Sequence, residues 1–193
     1  MAKKLKIVAV SGGLQRPSRT LALVEQLLEG LGDALPGAQT RLVELGELVP
    51  KFGSVLQRPH LPPEVESVLR DIETADLLLV ASPIYRGSYT GLFKHLFDFV
   101  HHESLIDVPV LLAATGGSDR HALAIDHQLR PLFSFFQAHT LPIGVYATDK
   151  EFDNYRVTSE SLHARIALAV ERAVPVLQQR SDRLAALSSL ALV

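Results

Sequence analysis

The sequence predicts an α/β protein built on one five-stranded parallel sheet with helices on both faces. Three observations predict it. Short, almost wholly apolar runs at residues 5–10 (LKIVAV), 76–81 (DLLLVA) and 108–114 (VPVLLAA) read as strands covered on both sides. Each is followed by a polar turn and then by apolar residues at helical spacing, an alternation that implies parallel strands joined by right-handed crossovers. The turns themselves are rich in Gly, Ser, Thr or Pro and fall at the carboxyl ends of the strands, the edge where such sheets bind ligands.

The elements follow in order. After the first strand, a helix begins near Ser18, with Leu21, Val24, Leu27, Leu28 and Leu31 in phase and Gly30, Gly32 and Pro36-Gly37 as stop signals. Residues 40–45 (TRLVEL) alternate as a second, more exposed strand. Residues 46–63 are rich in Gly and Pro and read as a surface loop. A short helix over 64–74 places Val65, Val68, Leu69 and Ile72 on one face. Strand 76–81 is the central one and runs into Ser82-Pro83-Ile84-Tyr85-Arg86-Gly87, before a helix over 89–100 striped by Leu92, Phe93, Leu96, Phe97 and Val100. Strand 108–114 ends in Thr115-Gly116-Gly117 and leads to a helix reaching about His139. There Pro131 has no N–H to offer the carbonyl of His127, so the helix kinks or bulges, or Pro131 starts a separate helix. A last strand lies near 141–147, and 159–179 is a closing amphipathic helix. Residues 1–180 thus form one domain, and the small, apolar tail 181–193 is a helical extension, a partner-binding segment or disordered.

Composition narrows the chemistry. The 193 residues are 47% hydrophobic and carry a net charge of −2, which fits a soluble domain and gives no basic excess for nucleic acid. With no cysteine, a thiolate nucleophile, an iron–sulfur cluster and a cysteine-ligated zinc site are excluded, so redox chemistry needs a bound cofactor. The apolar run behind Lys3, Lys4 and Lys6 is too short for a signal-peptide core or a membrane span, and a cytoplasmic location is expected. His101-His102, His121, His127 and His139 show no metal-ligand spacing, and no metal site is expected.

Residues 11–20 (SGGLQRPSRT) combine two glycines, three hydroxyls (Ser11, Ser18, Thr20) and two cations (Arg16, Arg19) ahead of a helix whose free N–H groups attract an anion. The stretch matches neither G-x-G-x-x-G nor the Gly-Lys-Ser/Thr loop. Alone it reads equally as a phosphate-binding turn or as an ordinary connection with Ser18 as N-cap. With two further turns at the same sheet edge, it suits a planar ring anchored by one phosphate.

These residues resemble the NAD(P)H-dependent FMN reductase family over about residues 5–180. The family's first loop, G-S-x-R-x-x-S-x-S/T/N, corresponds to residues 12–20, with Gly13 at the usual Ser and Gln15 at the usual Arg. Ser82-Pro83-Ile84-Tyr85 with Gly91-Leu92-Phe93-Lys94 matches the second motif, and Thr115-Gly116-Gly117 the third. Residues 114–136 resemble the reductases of alkanesulfonate and methanesulfonate monooxygenase systems. His127 stands where the alkanesulfonate type carries an inserted Tyr in a π-bulge at a subunit interface, so the methanesulfonate type fits better.

The resemblance implies a flavodoxin-like three-layer sandwich, strand order 2-1-3-4-5, and hydride transfer from NADH or NADPH to FMN. It implies a flavin-dependent monooxygenase as recipient of reduced FMN, and self-association as a dimer or tetramer. Because the two cofactors carry the chemistry, no catalytic nucleophile or acid is expected. Ser18, Arg19 and Thr20, with Gln15 and Ser11, are assigned to the FMN phosphate. Pro83, Ile84, Tyr85 and Arg86 are assigned to the border of the ring, and Thr115, Gly116 and Gly117 to its pyrimidine edge. Two other functions share these features: an FMN-bound quinone, azo-dye or metal-oxyanion reductase, and a flavodoxin-like electron carrier.

Overall fold

The protein is described from a computed structural model covering residues 4–190. Its sheet runs β2-β1-β3-β4-β5, all parallel, with β6 also paired to β4. The strands are β1 (Lys6–Ser11), β2 (Gln39–Glu44), β3 (Leu77–Pro83), β4 (Pro109–Gly116), β5 (His139–Thr140) and β6 (Val145–Thr148). This is the flavodoxin-like order that the family resemblance implies.

Strand alternation sorts the core into two layers. Val8, Val10, Leu78, Val80, Val110 and Leu112 point toward α2 (Leu45–Phe52), α3 (Pro63–Glu73), α4 (Gly91–Asp98) and α5 (Arg130–Phe135). Ile7, Ala9, Leu77, Leu79, Leu111 and Ala113 point the other way, toward α1 (Arg19–Ala34) and α6 (Glu160–Leu190). Every residue of β3 and β4 is buried, which is why both read as unbroken apolar runs. On the first face Phe93, Phe97 and Phe133 form a buried chain with ring centroids 4.9 and 5.0 Å apart.

Two elements depart from the sequence expectation. Part of the expected loop 46–63 is helix α2, because Leu45 and Phe52 are buried one helical face apart, with Leu48 and Val49 packed on the same core; Gly46 and Pro50 obscure that period. The last strand is interrupted: Pro142 lacks an N–H, and Arg130 instead donates to the carbonyls of Leu141 (2.9 Å) and Pro142 (3.3 Å). The helix after the third turn is also not uniform. A 3-10 turn at Asp119–His121 precedes a π segment, Ile125–Leu129, that contains His127 and continues into α5 with Pro131 in its first turn. The Arg130 N–H bonds back to Ile125, five residues earlier, which is the bulge the missing Pro131 donor predicts. Finally, α6 continues through Leu190, so residues 181–190 prolong the closing helix; 191–193 lie outside the described residues.

Beyond β6 the chain makes a 3-10 turn (Asp149–Glu151) and a small antiparallel hairpin, β7 (Phe152–Asp153) and β8 (Arg156–Val157). Glu151 fixes this segment. Its buried carboxylate accepts from Thr148 N–H (2.9 Å), Thr148 Oγ1 (3.1 Å) and Arg165 Nη2 (2.6 Å), tying the turn to β6 and α6. Burial opposes its ionisation, but these donors outweigh burial and hold its pKa below the ordinary glutamate value. The stabilisation is therefore complete above about pH 4.3 and fades as the pH falls through the lowered folded value. Glu151→Gln should cost about 1–3 kcal/mol in urea unfolding at pH 7. The gap to wild type should narrow when the same unfolding is repeated toward pH 3; a constant gap would remove the charge from the explanation.

Candidate functional site

Where β1 ends, the chain stays against β3: Gly12 donates its N–H to the Ala81 carbonyl at 2.7 Å. Glycine is required here by crowding. A Cβ on Gly12 would stand 2.9 Å from that carbonyl, and one on Gly13 would stand 2.5 Å from Ser18 Oγ. The departure at Gly13 is thus matched to this loop's own packing. Ser18 caps α1, accepting the Leu21 N–H at 3.2 Å, which leaves its hydroxyl hydrogen available to a ligand. The N–H groups of Arg19 and Thr20 have no acceptor within the helix and stand at the positive end of its dipole. The loop is supported from behind by Gly46, whose N–H meets the Gly13 carbonyl at 3.1 Å.

Arg16 does not join this group. Its Nε donates to Glu44 at 2.8 Å and it approaches Glu47 at 3.7 Å, outside the cleft. Ser11 is also set apart: it is 2% exposed and lines a separate, smaller pocket between the loop and α2.

The second turn leaves β3 at Pro83. Ile84 N–H bonds to the Thr115 carbonyl at 2.7 Å, and Tyr85 and Ser88 exchange backbone bonds around Arg86 and Gly87, both left-handed (φ 56° and 85°). This tight reversal turns Tyr85 outward, leaving it 57% exposed, so it is not a core aromatic. Ser88 Oγ bonds to Gln128 at 2.9 Å, tying the Tyr85 turn to the π segment. The third turn is pressed under Tyr146, whose hydroxyl donates to the Ser118 carbonyl at 2.7 Å. A Cβ on Gly116 would lie 2.2 Å from that hydroxyl oxygen. A buried 2.7 Å bond between Thr20 Oγ1 and Thr115 Oγ1 joins the first and third turns. With Thr115 as donor, the Thr20 hydroxyl hydrogen is released toward the cleft.

The three turns enclose one cavity of about 420 Å³, within the usual small-molecule range of about 300–1,000 Å³. Gln15, Ser18, Arg19 and Thr20 line one end; Pro83, Ile84 and Tyr85 line one side, and Thr115, Gly116 and Gly117 another. Arg86 belongs instead to an adjoining open cavity of about 620 Å³ that shares Ile84, Tyr85 and Gly117 with the first and adds Ser118 and His121.

Two lining residues escape sequence reading, Asp149 and Tyr155. Arg19 lies between them, 3.5 Å from the Asp149 carboxylate and with its guanidinium carbon 5.2 Å from the Tyr155 ring centroid. Their one signal is position, just beyond the carboxyl end of β6.

The donor set suits an anion at one end and a flat ring at the other. Among the described residues, the lining contains no histidine, cysteine or lysine, and no cluster of three or more His, Cys, Asp or Glu could hold a metal ion. No helix among the described residues is long and apolar enough to cross a membrane.

Comparison with known proteins agrees with this geometry. Residues 5–153 match the family model described as NADPH-dependent FMN reductase. The chain is 60% identical over 184 residues to "FMN reductase (NADPH)" of Pseudomonas aeruginosa, covering 95% of this chain and 98% of that one. It is 61% identical over 176 residues to "NADH-dependent FMN reductase SfnF" of Pseudomonas fluorescens, covering 91% and 94%. A solved apo structure of an NADH:FMN oxidoreductase (EmoB) superimposes with a TM-score of 0.75 at 27% identity, covering 87% of each chain. On the family match over residues 5–153 and the 60% identity over 184 residues, the chain belongs to the NADPH-dependent FMN reductase family.

Proposed function

We propose that the protein oxidises NADH or NADPH and delivers the electrons to FMN bound in the three-turn cleft. The observation that carries this is the cleft's polarity: hydroxyls, one guanidinium and a helix N-terminus at one end, an exposed tyrosine and a glycine turn at the other. Ser18, Arg19 and Thr20, with Gln15 at the rim, would hold the phosphate, whereas Ser11 only supports the loop from behind. Pro83, Ile84 and Tyr85 would border the ring, and the turn Thr115–Gly117 would present backbone N–H groups where charge develops on reduction. Bound FMN supplies the hydride-accepting ring, and the residues around it bind, orient and exclude water. Arg86 and His121 line the adjoining cavity, whose shared wall at Tyr85 and Gly117 suits the nicotinamide donor.

The reduced flavin is destined, on this reading, for a flavin-dependent monooxygenase acting on small sulfonates. The likeness of residues 114–136 to sulfonate-system reductases supports it. Self-association through the π segment and α5 is part of the same proposal, since Leu123 just ahead of the π segment and Phe135 in α5 are 64% and 68% exposed. Light scattering at micromolar concentration should give a dimer or tetramer, and Phe135→Glu should shift it toward monomer; a monomeric wild type would reject the assembly.

Steady-state oxidation of NADH and NADPH should proceed with added FMN as acceptor. Turnover with a quinone but none with FMN would transfer the protein to the quinone-reductase reading. Arg19→Ala and Ser18→Ala should each weaken FMN binding by about 1–3 kcal/mol, the range for a lost charge-assisted hydrogen bond. Unchanged affinity in both variants would remove the loop from the site.

A further inference from the structure

The anion end of the cleft carries no net side-chain charge. Arg19 is the one cation lining it among the described residues, and Asp149 is the one carboxylate. The two face each other at 3.5 Å, while Arg16, the other cation of the loop, is paired with Glu44 and Glu47 on the far side. Lys150, next to Asp149, is likewise turned away, bonded to Asp119 at 2.9 Å.

We infer that Asp149 is a built-in charge competitor that limits the affinity of the cleft for a flavin phosphate and sets how quickly the flavin leaves. The inference rests on the FMN-reductase reading above. A phosphate dianion entering beside Ser18, Arg19 and Thr20 must share Arg19 with a carboxylate already present, and it meets that carboxylate as a like charge.

Two features make Asp149 a competitor and not a support for Arg19. First, the contact is single and longer than a charged hydrogen bond, so it lacks the paired geometry that fixes a guanidinium. Second, Arg19 is also held by the Tyr155 ring, presented by the left-handed pair Asn154 and Tyr155 (φ 46° and 62°) at the tip of the hairpin. The backbone keeps Asp149 next to Arg19, although its side chain is half-exposed. Its backbone sits in the turn locked by the Thr148 and Glu151 capping bonds, and those bonds are buried. An exchangeable flavin is what a reductase supplying a separate oxygenase needs, so a weakened phosphate grip serves that transfer.

The test compares FMN with riboflavin, which has the same ring and no phosphate. Equilibrium dissociation constants and stopped-flow release rates are read from flavin fluorescence for wild type and Asp149→Asn, a change of charge at nearly constant shape. Asp149→Asn should bind FMN about three- to tenfold more tightly, mainly through slower release, and leave riboflavin unchanged within about twofold. FMN affinity that is unchanged or weaker, or an equal gain for riboflavin, would overturn the inference alone. A wild-type chain that binds neither FMN nor riboflavin would overturn the flavin-site reading with it.

Discussion

Everything at the cleft depends on β3 being paired on both edges and covered on both faces. Its register with β1 sets Ser11 beside Ala81, and its register with β4 sets Pro83 beside Thr115. Three chain segments must therefore leave the sheet side by side, on the same edge and at nearly the same height. Their closeness is what the local chemistry accommodates. Gly12 touches the Ala81 carbonyl, Ile84 bonds to the Thr115 carbonyl, and Thr20 meets Thr115. A small pocket follows from strand register, and the residues at its mouth give it chemical character.

The fold was legible because its strongest signals are hydrophobic and periodic. Strands β1, β3 and β4 are buried on both faces and read as unbroken apolar runs, and α1, α3 and α4 each carry one apolar stripe. What was not legible lies where local rules conflict. In α2, Gly46 and Pro50 signal a loop while Leu45 and Phe52 must be buried, and burial prevails. In the last strand, Pro142 breaks the ladder that residues 141–147 suggest, and Arg130 satisfies the stranded carbonyls from α5. Pro131 was informative in the opposite sense: a missing donor demanded an irregular turn, and the π segment at Ile125–Leu129 is that turn.

The candidate site was legible in its three turns and not in its fourth wall. Ten of the twelve residues singled out from sequence line one cavity; Ser11 lies behind the loop and Arg86 in the neighbouring cavity. Asp149 and Tyr155 arrive from a segment with no motif, carried to the anion end by β6 and held there by Glu151. They change the electrostatics of the opening loop. Sequence placed two arginines in the loop and assigned Arg19 to a phosphate; the structure commits Arg16 to Glu44 and Glu47 and gives Arg19 a carboxylate neighbour. On the proposed reading, a phosphate there would consequently rely on hydroxyls, backbone N–H groups and the α1 dipole more than on side-chain charge.

On the proposed reading, that arrangement would tie the fold to the function: a grip sufficient to orient a flavin beside its donor, made of groups that would also let it go. The most direct measurement is a crystal structure of the protein with FMN. The account predicts the phosphate among Ser18, Arg19, Thr20 and the first N–H groups of α1, with the ring between Tyr85 and the Thr115–Gly117 turn. A phosphate bound instead beside Arg86 and His121, with the loop at residues 12–20 empty, would contradict it.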